Sequence, residues 1–177
     1  MMDERDVTQQ QAGRPFYFDD YVQGQEHAAG VHTVTAPEII SFASQWDPQP
    51  FHVDEDAAKE SVFQGLTACS AHIFSIFCST SQRWQSGVVQ QAVAGLGFDE
   101  MRMLKPVYAG DTLHCFSLID SLRTSNSRPD CGIVGYLTRL QNQHGETVFS
   151  IRAASLIARD PQRDTDAGCT PGAGTQG

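Results

Sequence analysis

No run of this 177-residue chain reaches the ~18 apolar residues that a membrane-spanning helix requires, so no segment is expected to cross a bilayer that way. Positive charge is also scarce. Twelve Lys and Arg stand against 21 Asp and Glu, a formal net charge of −9, which disfavours a general nucleic-acid surface, where a basic stripe supplies most of the affinity. The five cysteines, Cys69, Cys78, Cys115, Cys131 and Cys169, are odd in number and lack C-x-x-C spacing, which argues against a disulfide framework and against a zinc site; free thiols are expected. The N-terminus, Met1-Met2-Asp3-Glu4-Arg5-Asp6, is polar and acidic with no apolar segment behind it. A secretory signal is therefore not expected, and the cytoplasm is the expected compartment. No internal repeat is visible.

What is present is the composition of a soluble globular domain, 40% hydrophobic and 19% charged, at a length suited to one core. Residues 1–14 and 161–177 carry no periodic apolar pattern and are expected to be disordered tails around a domain at 15–160. Phe16-Tyr17-Phe18 with Tyr21 reads as an extended lead-in that packs on the core, and 30–34 as a short strand. Thr35 and Glu38 form a capping-box pattern with Pro37 in the first turn, predicting a helix to about Gln45 that turns Ile39, Ile40, Phe42 and Ala43 inward. Asp54 is placed to cap a short helix through Lys59.

From Ser70 to Trp84 the apolar residues recur at helical spacing around most of the circumference, which predicts a buried helix. Four runs of strand character follow, at roughly 88–104, 112–123, 132–142 and 147–159. Gln143-His144-Gly145-Glu146 supplies a hairpin turn between the last two. A strand, then helices, then four sequential strands is an α+β pattern.

The stretch Trp46-Asp47-Pro48-Gln49-Pro50-Phe51-His52 sets a carboxylate and an imidazole five residues apart. Each proline fixes its own φ and pushes the preceding residue out of the α region, so Asp47 and Gln49 are held in a stiff turn. Little rotational freedom remains to be lost when two such groups meet at one water or substrate atom. The plain alternative is that Asp47 caps a helix while a backbone carbonyl satisfies a half-buried His52.

Asp47, Pro50 and His52, with Gly65 and the start of the long helix at Ser70-Ala71-His72, resemble the MaoC-like hydratases, relatives of the (R)-specific enoyl-CoA hydratases, whose signature reads D-x-N-P-x-H. The resemblance runs from about Phe16 to Asp160. It includes Gly97-Phe98-Asp99-Glu100-Met101-Arg102 and Lys105-Pro106-Val107-Tyr108-Ala109-Gly110-Asp111-Thr112-Leu113. Gln49 stands where the family has Asn, Trp46 where Gly commonly precedes the Asp, and Ser70 at the family's Gly. The resemblance implies a single hotdog fold, an antiparallel sheet wrapped around a long central helix.

It further implies reversible hydration of a trans-2-enoyl thioester of coenzyme A or of an acyl carrier protein. Asp47 would be the base, His52 the partner that orients the water, the Ser70 N–H the oxyanion donor, and Gln49 a substrate-positioning residue. Coenzyme A enters only as part of the substrate, and no other cofactor or metal is expected. Arg83, Arg102, Lys105, Arg123 and Arg128 are available for its phosphates. A homodimer or higher assembly follows from the sheet edge that a single hotdog exposes, with no nucleic-acid or membrane partner.

Rival readings remain at this point. The same fold serves thioesterases and could serve a non-catalytic acyl-thioester binding module. Cys69 and His72 could form a thiol-base pair, and His52, Asp54 and His72 a metal site, although no third orienting group is evident for the first.

Overall fold

The computed structural model describes residues 13–84 and 86–163; the expected tails fall almost wholly outside these. Its elements, in chain order, are β1 (Arg14–Phe16), β2 (Glu26–Thr33), α1 (Ala36–Trp46), α2 (Pro50–Val53), α3 (Glu55–Glu60), α4 (Ser70–Ser81), β3 (Val88–Gln90), β4 (Ala92–Met103), β5 (Thr112–Thr124), β6 (Cys131–Gln141) and β7 (Thr147–Ala158).

Alternation of buried and half-buried residues along β5 and β6 turns one face of each strand to the core: Leu113, Cys115, Ser117 and Ile119 on β5, Val134, Tyr136, Thr138 and Leu140 on β6. These strands join an antiparallel sheet of order β2-β5-β6-β7-β4. Helix α4 lies against its concave face through Ile73, Ile76, Phe77 and Thr80. This is the expected α+β hotdog arrangement, with α4 at its centre.

Two departures from expectation concern the strands and the central helix. The run at 88–104 is two strands, broken at Gln91: β3 leaves the main sheet and pairs in parallel with β1, Phe16 opposite Gln90. An aromatic cluster gives that pairing its core, with Trp84 edge-on to Phe16 and Tyr21 at 5.5 and 5.8 Å and stacked on His27 at 3.9 Å. Helix α4, expected to run to Trp84 and to be apolar around most of its circumference, ends at Ser81 and exposes Ala71, Ser75 and Ser79 along one stripe.

Capping follows the sequence closely. Thr35 Oγ1 accepts from the Glu38 N–H, but the box is not reciprocal, because the Glu38 carboxylate accepts instead from Thr35 Oγ1 and lies 2.7 Å from His32 Nε2. Asp54 Oδ1 accepts from the N–H groups of Asp56 and Ala57 at 2.9 and 2.8 Å, starting α3. Both ends of the described chain are tied to the body. Arg14 opens β1, and Arg163 donates to the Asp19 carbonyl at 3.0 Å, so residues 14 and 161–163 of the expected tails lie on the folded domain.

Candidate active site

The segment after α1 behaves as its prolines dictate. Asp47 caps the helix C-terminus at φ −159°, ψ 71°, and Gln49 is extended at φ −71°, ψ 141°. Pro50 then starts a single helical turn, α2, so His52 stands on one turn of helix rather than in an irregular loop. Main-chain bonds brace the hinge, from Gln49 N–H to Asp47 O and from His52 N–H to Gln49 O, each 2.8 Å.

His52 is 8% exposed, and its Nδ1 lies 2.6 Å from the carbonyl oxygen of Thr67. A carbonyl can only accept, so Nδ1 carries the proton and Nε2 of the neutral ring keeps its lone pair. Nε2 faces Asp47 Oδ2 at 3.9 Å. Two acceptors at that separation share no proton directly, and a single water can donate one O–H to each. The backbone-satisfied histidine and the catalytic histidine are thus compatible readings of the same ring, one for each nitrogen. The Thr67 carbonyl is held in turn by the bridge between Thr67 and Tyr108 and by the bond from Ala68 N–H to Val107 O at 2.9 Å.

A cavity of about 290 Å³ opens beside His52, bounded by Phe51 and Phe63, by Ser70 and Ile73 of α4, and by Met103, the last residue of β4, with Leu104 to Pro106 beyond it. Ser70 is the first residue of α4 and Cys69 its N-cap, so Ser70 does not cap the helix with its side chain. Its main-chain N–H belongs to the first turn, where no intrahelical acceptor exists and the helix dipole favours negative charge. Gln64 and Glu100 are the described non-glycine residues with positive φ; Ser70 is not among them, and serine in place of glycine carries no backbone strain there.

The remaining expected site residues lie elsewhere. The Gln49 side chain is exposed, makes no capping bond and does not line the cavity; what it contributes to the turn is main-chain. Asp54 is committed to the α3 cap. Cys69 is buried at the N-cap, and the His72 ring lies on Phe42 at 4.7 Å with Nε2 turned 3.5 Å from Glu38. Burial holds His72 below its ordinary pKa, against the attraction of Glu38. Neither the thiol-base pair nor a metal triad therefore assembles, and among the described residues no cluster of three His, Cys, Asp or Glu side chains is placed to hold a metal. Sequence reasoning missed the Thr67 carbonyl and the Met103–Leu104 wall. Neither has a side-chain signature, since one acts through its main chain and the other reads simply as strand.

Comparison with known proteins places this geometry among relatives. The model of the MaoC-like domain matches residues 22–136. An uncharacterized Bacillus subtilis protein, YdeM, is 30% identical over 143 residues, covering 80% of this chain and 98% of its own. A mesaconyl-CoA hydratase from Cereibacter sphaeroides is 32% identical over 162 residues, 90% of this chain; those span 46% of that enzyme, about half its length. Among solved structures, a MaoC-like dehydratase from Rhodospirillum rubrum superposes with a TM-score of 0.75 at 33% identity, covering 82% of this chain and 99% of its own. In the described residues no helix is long and apolar enough to cross a membrane.

Proposed function

This chain belongs to the MaoC-like dehydratase family, and from that premise we propose that it adds water reversibly to a trans-2-enoyl thioester of coenzyme A or of an acyl carrier protein. The observation that carries the reading is the pair of acceptors, Asp47 Oδ2 and His52 Nε2, 3.9 Å apart, of which His52 lines the cavity that the first turn of α4 bounds. The water donates one O–H to each and keeps a lone pair for the β-carbon of the substrate. Asp47, the more exposed of the two, takes the proton as the C–O bond forms, and His52 fixes the direction of attack.

The π electrons of the double bond move toward the thioester carbonyl, whose oxygen becomes an enolate. Main-chain N–H groups in the first turn of α4, that of Ser70 foremost, meet this charge where it develops. The proton taken from water is then returned to the α-carbon, so that H and OH have been added and the pair is restored. Elimination runs the same steps backward. The reaction is redox-neutral and its charges fall on groups that the chain supplies, so the reading calls for no cofactor beyond the coenzyme A of the substrate.

The test is purified protein with crotonyl-CoA, followed at the enoyl thioester absorbance and, in parallel, for free thiol. Loss of the enoyl band without thiol release is the expected result. Thiol release would identify a thioesterase, and binding without either change a non-catalytic module; each overturns the proposal.

A further inference from the structure

Asp111 is a buried carboxylate, 8% exposed, that the hydration steps do not use. Both its oxygens are met by neutral donors: Oδ2 accepts from the Tyr108 N–H at 2.8 Å and Oδ1 from Gln143 Nε2 at 2.9 Å. A carboxylate buried in this way is costly unless its donors are accurately held. Gln143, on the β6–β7 hairpin, can turn its amide only one way, because its Oε1 accepts from the Thr112 N–H at 3.0 Å and leaves Nε2 for Asp111.

The turn 108–111 is closed by Asp111 N–H to Tyr108 O at 3.1 Å, with Gly110 at φ 94°, and it grips both arms of the site. Toward one arm it holds Val34, through Gly110 N–H to Val34 O at 2.7 Å and Val34 N–H to Asp111 O at 2.8 Å. Val34 directly precedes the N-cap of α1, the helix whose C-cap is Asp47. Toward the other arm, Ala68 N–H donates to Val107 O at 2.9 Å and Ala109 N–H to Leu66 O at 3.3 Å, one bond on each side of Thr67. Thr67 is thus the unbonded member of a narrow antiparallel pair, and its carbonyl is left to accept from His52 Nδ1. The Tyr108 hydroxyl adds a third clamp, donating to Phe63 O at 3.0 Å.

We propose that Asp111 is a positioning residue for the hydration: its carboxylate fixes the turn 108–111, and through that turn the tautomer of His52 and the separation of His52 from Asp47. The inference rests on the hydratase reading and names the residue behind the geometry of its catalytic pair. Once the Thr67 carbonyl moves off Nδ1, the ring proton is free to reside on Nε2, where it donates to the Asp47 carboxylate. Two acceptors then become a bonded donor and acceptor, and the water loses its place. A displacement of ~1 Å at such a site can cost about a hundredfold in rate.

The test uses the donor pattern. In Asp111→Asn one N–H donor must face another, in Gln143→Glu two carboxylates face each other, and the double variant again sets a donor against an acceptor at every contact. Each single variant should lower kcat on crotonyl-CoA by about tenfold or more, assayed well below its melting midpoint, with KM moving much less. The double variant should return to within about threefold of the unmodified protein, the signature of a coupled pair. Long-range proton–nitrogen spectra at about pH 8, above the ordinary imidazole value, read the His52 tautomer directly, with His52→Ala assigning the signal. Nδ1 should be protonated in the unmodified and double proteins, and the proton shared between the ring nitrogens in the single variants. Gln143 is exposed, so its variant gives the answer even where Asp111→Asn does not fold. Single variants that melt lower yet keep full kcat and the Nδ1–H tautomer would overturn the proposal, as would a folded double variant as slow as the singles. An unmodified protein that leaves crotonyl-CoA unchanged counts against the reaction, whereas the tautomer, read without substrate, decides the role of Asp111 by itself.

Discussion

Both nitrogens of His52 are accounted for by named partners, and Asp47 supplies the second acceptor. Replacing Asp47 by Asn or His52 by Ala should each lower turnover on crotonyl-CoA by ~100-fold or more, the usual scale for loss of a positioned acid or base. Because one water serves both groups, the double variant should be little slower than either single one, a function already lost not being lost again. Steady-state rates of the three variants check this, and multiplicative losses would instead indicate independent roles.

His72 and His27 make a different residue-scale prediction. Burial depresses both below the ordinary imidazole value of 6.5, and His72 Nδ1 and His27 Nε2 are buried without a hydrogen-bond partner. A histidine with a lowered folded pKa binds fewer protons folded than unfolded, so its contribution to stability is present above pH 6.5 and lost as pH falls through the folded value. Thermal midpoints should therefore fall as pH is lowered from about 7.5 toward 5, before the carboxylates, whose ordinary values are near 4, begin to protonate. His72→Gln should flatten that slope, and a slope unchanged by the substitution would assign it to other groups.

Among the elements, the ones that hold the site were the most legible in the sequence. Thr35, Pro37 and Asp54 are local signals, each acting on the backbone within three residues, and the structure uses all three as helix starts. The proline pair likewise keeps Asp47 and Gln49 out of the α region by steric exclusion, Gln49 in extended geometry and Asp47 at φ −159°, ψ 71°. What was hidden depends on distant partners. The parallel contact between β1 and β3 joins residues over seventy positions apart through three residues each, and nothing in either segment encodes its partner. The exposed stripe of α4 was legible in principle, since Ala71, Ser75 and Ser79 are small residues at four-residue spacing, but the large residues on the other faces dominated the pattern.

Asp54 allows the element scale to be tested. It caps α3 directly after the turn that carries His52, through two main-chain bonds at the solvent surface. Asp54→Ala should cost about 1 kcal/mol, read as a drop of roughly 2–4 °C in melting midpoint for a domain of this size. Asp54→Ser should recover most of it. A loss of the same size in both variants would show that the carboxylate acts by its charge and not as a cap.

At the scale of the whole molecule, the unfinished surface is the edge strand β4. All twelve of its residues are exposed, and the sheet order leaves its outer side unpaired. Leu96 and Phe98, 49% and 53% exposed, lie on this strand with Val93, Met101 and Met103. A long apolar edge invites further strand pairing, and a two-fold axis lets the same strand of a second copy satisfy it. We therefore expect the protein to sediment at about twice its 19.4 kDa chain mass at micromolar concentration. Leu96 does not line the His52 cavity, so Leu96→Lys places a charge on the edge without touching the proposed site. This variant should sediment as a single chain, and its crotonyl-CoA turnover should fall, because Met103 and Leu104, which close one wall of the His52 cavity, belong to or directly follow the strand that loses its neighbour. An unmodified protein that sediments at 19.4 kDa would rule out pairing at β4. A single-chain Leu96→Lys variant with undiminished turnover would keep the dimer but show that the site is complete within each copy.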